Sequence, residues 1–341
     1  MINSLPEWLN GDWNHDDILV SSEIKMSRNI SGFNFSSACS SHDKKRISDI
    51  VKKEFIPDLE MKPVESMCLS FRKMLMERRL LSESASNGKK FTEVYWSDDQ
   101  NESICLNDED HIRIRLIGNG SCMPEMILKM YARESDLAAS LQLSKMDGYG
   151  YLTSHYRNSG SGVRLSILLH TPAICLSNYS EAIGVKIAAS NISIGGTFAD
   201  DTVGYGNIFH LYCDPSSSRD IMSDAEDLMS IANEIADIER DLRSRELDDE
   251  TINTISLSWG ILKYSNVLYF SEALNSISCS ILGMKTGLGS FDSNMLKEMM
   301  LGMMDGHLLN CIDNGDAPIC LEKARAEYLR ERIGNKKLVL D

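Results

Sequence analysis

An α+β fold is predicted, with an antiparallel sheet flanked by helices and followed by an all-helical C-terminal domain. Three observations predict it. From residue 17 to about 215, short runs with apolar residues at alternate positions recur between glycine-bearing turns, the pattern of half-buried strands. The stretch Asp214-Pro215-Ser216-Ser217-Ser218 then reads as a turn. Beyond it, apolar residues return at spacings of three and four, the signature of amphipathic helices. At 341 residues the chain exceeds the usual size of one core, and two domains are expected, residues 1–218 and 219–341.

Ile112 to Ile117 is the clearest strand, because alternation sets Ile112, Ile114 and Leu116 on one face and His111, Arg113 and Arg115 on the other. Val163 to Leu169 follows the turn Gly160-Ser161-Gly162, and Lys186 to Ile194 and Asn207 to Tyr212 complete the set of expected strands. Between residues 44 and 82 the apolar spacing is helical but broken by Pro57 and Pro63, so two helices are expected, the second over Val64 to Leu81. The recurrence of Ile221, Ala225, Leu228, Ala232, Ile235, Ile238 and Leu242 predicts a long helix. Further helices are expected over Ile255 to Phe270, Met295 to Met304 and Glu322 to Ile333, with Arg325, Arg330 and Arg332 on a solvated face or at the dipole-compensating end.

Composition narrows the function. A net charge of −15 argues against non-specific binding to nucleic acid or anionic lipid, both of which need a basic surface, so any phosphate recognition is local. The nine cysteines show no C-x-x-C pair or zinc-ligand spacing and are expected to be mostly buried thiols in a reducing compartment. Neither they nor the 18 methionines point to a metal site, and core filling is the simpler role. No signal peptide or membrane-spanning run is evident, and a cytoplasmic location is expected. P-loop, Rossmann and G-x-S-x-G fingerprints are lacking.

Chemistry concentrates in Asn107-Asp108-Glu109-Asp110-His111-Ile112-Arg113-Ile114-Arg115. Three consecutive carboxylates repel one another, and crowding them at the mouth of a strand that displays arginines suggests a site for a nitrogenous cation. An acidic turn with solvated charges is the alternative.

The segment NDEDHIRIR resembles the NEEDHIRI motif of the ATP:guanido phosphotransferases, which move the γ-phosphoryl group of ATP onto a guanidinium nitrogen. Four further stretches resemble that family in the same order. VSSEIKMSRNISGFNF from Val20 is similar to its SSRxRxxRNxxxFPF opening, and GYLTSHYRNSGSGVRLSILLHTPA from Gly150 to GYLTSCPTNxGTGxRASVxxHLPA. IGGTFADDTVGYGNIF from Ile194 stands where the family has RGxxGExSE, and ARAEYLRERI from Ala324 resembles the end of the bacterial protein-arginine kinases. The opening motif begins at Ser21, without the N-terminal helical domain of animal phosphagen kinases, and the helical tail also resembles the protein-directed bacterial branch.

The resemblance implies ATP with Mg2+ as co-substrate and no protein metal ligands. It assigns Glu109 to hold and deprotonate the guanidinium, with Asp200 as the second catalytic carboxylate and Asp201 as its alternative register. It assigns Lys25, Arg113 and Arg164 to the ATP phosphates and Ser22 and His111 to the nucleotide. Departures from the pattern are Glu23 and Lys25 for the two SSRxR arginines, Gly195 for the arginine of RGxxGE, and Asp200 for its glutamate. His155 stands for the motif cysteine, and Arg157 for the neighbouring threonine. His155 and Arg157 are the candidates to compensate lost charge. An Arg-Asp pair of the bacterial phosphoarginine pocket is replaced by Leu321 and Glu322.

Three functions stay open on these grounds. One is a protein-arginine kinase whose implied partners are proteins with exposed arginines, an activating zinc-binding protein, a Clp chaperone and further copies of the chain. The second is a non-catalytic adaptor or scaffold in Clp-linked protein quality control. The third is a phosphagen kinase for a small guanidine.

Overall fold

The structure is a computed structural model describing residues 4–10, 17–177, 179–197, 203–215, 220–289, 293–311 and 320–334. Its elements run β1 (Leu19–Arg28), α1 (Ser41–Glu54), β2 (Lys62–Pro63), α2 (Leu69–Glu77), α3 (Glu83–Ser86), β3 (Glu93–Trp96), β4 (Glu102–Leu106), β5 (Ile112–Gly118) and α4 (Met123–Ser140). Then come β6 (Lys145–Met146), β7 (Gly150–Tyr151), β8 (Val163–His170), α5 (Pro172–Leu176), α6 (Ser180–Ala188), β9 (Ser193–Gly195) and β10 (Ile208–Cys213). The rest is helical: α7 (Ile221–Ser244), α8 (Asp249–Tyr264), α9 (Phe270–Lys285), α10 (Ser293–Gly302), α11 (Asp305–Cys311) and α12 (Leu321–Ile333).

Eight strands form one antiparallel sheet in the order β2-β3-β4-β5-β1-β8-β10-β9. Alternation divides its faces as the sequence requires. Ile24 and Met26 of β1, Ile112, Ile114 and Leu116 of β5, and Val163, Leu165 and Ile167 of β8 pack with α1, α4 and α7 into the larger core. On the second face, Val64, Leu75, Leu80 and Leu81 cover the edge formed by β3 and β4. Val20, Ile117, Leu168 and Ile208 pack against Trp8 and the C-terminal helices. Between these two covered zones the second face is polar.

Several expectations are revised. The long helix predicted from Ile221 is present, but Ala225, Leu228, Ala232 and Ile235 lie in the sheet's own core, so the packing division falls beyond Ser244 rather than at residue 218. Lys186 to Ile194 is not a strand, because α6 runs to Ala188 and pairing begins at Ser193; a short apolar run does not separate strand from helix. The helix predicted over Val64 to Leu81 is confined to Leu69–Glu77, preceded by a single 3-10 turn after Pro63 and stopped where Arg79 adopts φ +63°. The helix expected to reach Phe270 ends at Tyr264, and the Leu268 N–H bonds instead to the Glu322 carbonyl at 3.0 Å. Among the elements that sequence patterning does not predict are the central strand β1, strands β3 and β4, and helices α4 and α9. Only three of the nine free cysteines are buried: Cys105, Cys213 and Cys279.

Arg325 departs most from its expected place on a solvated face. It is buried, donates to the Met303 carbonyl at 3.0 Å and the Leu268 carbonyl at 2.9 Å, and pairs with Asp305. Asp305 also holds Lys73 of α2 at 2.6 Å. Beside it, Glu77 accepts from the Gly306 and His307 N–H groups at 2.7 and 3.1 Å and pairs with the His307 ring at 2.8 Å. Arg78 donates to His307 Nε2 at 3.0 Å. The end of α2 therefore grips the start of α11, where unsatisfied helix N–H groups favour a carboxylate.

Leu228 is fully buried between α7 and the sheet. Leu228→Ala is expected to cost about 2–5 kcal/mol, and urea denaturation followed by intrinsic fluorescence measures it; a loss under 1 kcal/mol would contradict a shared core.

Candidate active site

The polar zone of the second face is a lattice set by register. Lys25 stands opposite Arg115 on β5 and opposite Arg164 on β8, so three cations line up across adjacent strands about 4.8 Å apart. Arg113 lies one step nearer the mouth, opposite Ser27. Glu23 lies one step deeper, between Ile117 and Ser166, where the polar zone meets the apolar zone under the C-terminal helices.

Glu23 is 1% exposed. Its Oε2 lies 2.5 Å from Arg79 Nη2, while its Oε1 lies 2.8 Å from Arg115 Nε and 3.3 Å from Lys25 Nζ. Burial alone would raise its pKa, but Arg79, Lys25 and Arg115 outweigh it and hold the carboxyl well below the usual range. Burial also dominates at Lys25. Against the opposing pull of Glu23, and with Arg115, Arg79 and Arg113 nearby, it pushes the ammonium down to about 8. His210, buried beside the same cluster, is pushed down to about 3 by desolvation and by Arg79, so its ring is neutral near pH 7.

The acidic turn avoids self-repulsion by sending its carboxylates in different directions. Asn107, at φ +54°, is pinned through its side-chain amide to Lys44, Ser48 and Phe91. Asp108 turns inward and accepts from Ser82 at 2.7 Å, Ser84 at 2.5 Å and Arg113 at 2.6 Å. Asp110 turns the other way and accepts from Asn29 at 2.8 Å and the Ser154 N–H at 2.7 Å. Glu109 alone projects outward, 48% exposed, with its carboxylate paired to Arg113. No external cation is needed to relieve the turn. Desolvation of Arg113 is outweighed by Asp108 and Glu109, which raise its pKa and keep it charged.

Other anticipated residues lie as follows. Arg164 shares the face, donates to Asp214 Oδ1 from Nε at 2.9 Å and from Nη2 at 2.5 Å, and lies over the Tyr212 ring. Ser154 donates to the Glu109 carbonyl at 2.5 Å, which brings the neighbouring His155 and Arg157 to the mouth. His155 stacks on Tyr156 and Arg157 is exposed beside it. His111 is buried rather than displayed. Its Nδ1 accepts from the Ile30 N–H at 3.1 Å and its Nε2 lies 2.8 Å from the Asn34 carbonyl, so both ring nitrogens serve the backbone. Ser22 is likewise buried and donates to the Gly120 carbonyl. Gly195 sits on the edge strand opposite His210. Asp200 and Asp201 fall outside the described residues.

Sequence reasoning did not assign Arg79, Asp214 or Tyr212 to this face. Arg115 was visible in the alternation of β5, whereas Arg79 carried no periodic signal because it reaches the cluster from a turn across 56 residues.

Fold and face together define an α+β protein whose sheet carries a local row of cationic side chains. The chain belongs to the ATP:guanido phosphotransferase family: residues 44–242 match its C-terminal catalytic domain, and residues 247–338 match the protein-arginine kinase McsB C-terminal domain. Curated protein-arginine kinases from Bacillus cereus (strain AH187) and Bacillus anthracis are 26% identical over 348 aligned residues, covering 99% of this chain and 98% of theirs. Among solved structures, the substrate-free duplicated taurocyamine kinase from Schistosoma mansoni aligns with TM-score 0.58 at 16% identity, over 80% of this chain and 40% of that one. A lombricine kinase aligns with TM-score 0.56 at 15% identity, over 68% and 69%. These two show the fold. Among the described residues, no helix is long and apolar enough to cross a membrane.

The depressed Glu23 carboxyl has a pH consequence. Its unfolded pKa is about 4.3 and its folded pKa lies lower, so the unfolded chain binds more protons in that window and stability falls as pH drops through it. Urea midpoints between pH 6 and 3 are expected to fall in the wild type and to fall less in Glu23→Gln/Arg79→Gln. An identical slope in the two proteins would sink this account; the residual slope belongs to other carboxylates held low, among them Asp17, whose burial is outweighed by His170, Arg243 and Lys285, and Asp99.

Proposed function

We propose that this chain is an arginine phosphotransferase acting on proteins, with Mg-ATP as phosphoryl donor. The observation that supports it is the shared face: the outward carboxylate of Glu109 lies against Arg113, beside the row Arg115, Lys25 and Arg164. Partly exposed guanidinium and ammonium groups suit a triphosphate. The one outward carboxylate of the turn suits a guanidinium acceptor.

In this reading the incoming guanidinium takes the place of Arg113 on Glu109, and Arg113 turns to phosphate while still anchored by Asp108. A guanidinium nitrogen attacks the γ-phosphorus, the bond to the β–γ bridging oxygen breaks, ADP leaves, and the displaced guanidinium proton passes to Glu109. Positioning and charge neutralisation supply most of the acceleration in such transfers. Among the described residues there is no group of three or more His, Cys, Asp or Glu side chains that could hold a metal ion; in this reading magnesium arrives with the nucleotide. Asp200 is the proposed second carboxylate. Proteins with exposed arginines are the proposed substrates. A zinc-binding activator, a Clp chaperone, self-association and a cytoplasmic location belong to the same proposal, motivated by the match of residues 247–338.

A second reading, a non-catalytic adaptor, is favoured by one observation: Glu23 and Asp214 already engage cations that a nucleotide would need. Low-micromolar ATP binding by calorimetry would count against it. Competition by free arginine separates a small-guanidine kinase from a protein-directed one.

With ATP and an arginine-rich protein, the wild type is expected to form acid-labile phosphoarginine detectable by mass spectrometry, and Glu109→Ala to lower the rate by about 10²–10⁴. Absence of product from the wild type with any divalent metal or partner defeats the proposal. Triphosphate affinity should also decline as pH rises through about 8, where Lys25 loses its proton. Lys25→Arg should flatten that decline because arginine stays charged.

A further inference from the structure

Glu23 stands at the end of the cationic row in the same relation to its neighbours that a bound phosphate would have. Two guanidinium groups and one ammonium converge on its two oxygens, all within 3.3 Å. The three contacts are unequal. Oε2 receives a short bond from Arg79, which also donates to Ser21 at 2.8 Å and lies over Trp8. Oε1 is buried without a well-directed hydrogen bond, so Arg115 and Lys25 are held there chiefly by charge. Lys25 has the longest contact and is the most exposed of the three cations, at 24% against 15% for Arg79 and 11% for Arg115. It also stands beside Arg164 in the row. Lys25 is therefore shared between an internal anion and the outward face.

We propose that Glu23 is an internal counter-anion that sets the affinity of this face for polyphosphate: Lys25 pairs with Glu23 in the free protein and leaves it to engage a nucleotide phosphate. The inference rests on the reading that the face takes a triphosphate, and it identifies what limits that binding. Arg79 and Arg115 keep Glu23 in place after Lys25 departs, so the exchange moves one flexible side chain and leaves the sheet intact. Glu23 thus has a specificity role as well as a structural one. Ligands that offer several charges repay the loss of the internal pair, and singly charged anions do not.

The test is calorimetric titration of full-length protein with inorganic triphosphate and with ATP, so that binding is read without catalysis. Glu23→Gln is expected to tighten triphosphate at least tenfold, and to do so much less in a Lys25→Gln background, because the released group is then absent. If Glu23→Gln does not fold, Glu23→Gln/Arg79→Gln preserves the net charge of the cluster and leaves the row Arg115, Lys25 and Arg164 complete; the same tightening is expected. Unchanged or weaker binding in a folded variant overturns the proposal, as does equal tightening with and without Lys25. Phosphoarginine formation is scored separately. Tightened triphosphate binding without any phosphoarginine leaves this inference standing and removes the kinase reading, whereas phosphoarginine formation with unaltered triphosphate affinity does the reverse.

Discussion

The buried carboxylate of Glu23 among Arg79, Arg115 and Lys25 is the interaction on which this molecule's polar face depends. Arg79, Arg115 and Lys25 cannot be crowded together in low dielectric without an opposing charge. By supplying one, Glu23 ties β1 to β5 and draws in the turn after α2. It also stands where the apolar cover of the C-terminal helices begins, so it marks the edge of the polar zone. The charged face is thus held together by contacts within the protein itself.

The same turn links the two ends of the chain. Glu77 and Arg78 grip His307 and the start of α11, and the next residue, Arg79, folds back in a left-handed conformation onto Ser21 and Glu23. Three consecutive side chains therefore contact both the helical region and the charged face. Arg325, through Asp305 and Lys73, closes the network from the far side. The C-terminal helices are packed onto the sheet and pinned by ion pairs, rather than hung from it as a separate appendage.

The acidic turn shows how a crowded motif is accommodated. Asp108 and Asp110 are consumed by hydroxyls, amides and Arg113, while Glu109 stays outward. Local charge counting predicts a repulsive cluster in need of a cation, because adjacent carboxylates are close in sequence. Backbone direction separates them in space. His111 illustrates the same limit: alternation places it with Arg113 and Arg115, yet it lies just before the strand and its ring is spent on two backbone groups.

Much was legible beforehand. The alternation of β5 and β8 and the periodicity of α7 derive from rules of residue spacing, and the ordered motifs placed Glu109, Lys25, Arg113 and Arg164 in one family pattern. The sequence by itself determined the α+β class, the strands β5 and β8 and the types of charge they bear, because side-chain direction along a strand is a local property; the central strand β1 between them was not legible from alternation. Only the tertiary structure decided that Arg79 joins the cluster, that Arg325 is buried, that α7 belongs to the sheet's core and that Glu23 is enclosed by three cations. Those outcomes depend on which distant segments meet and how much water they exclude, and no spacing rule within a single segment encodes either.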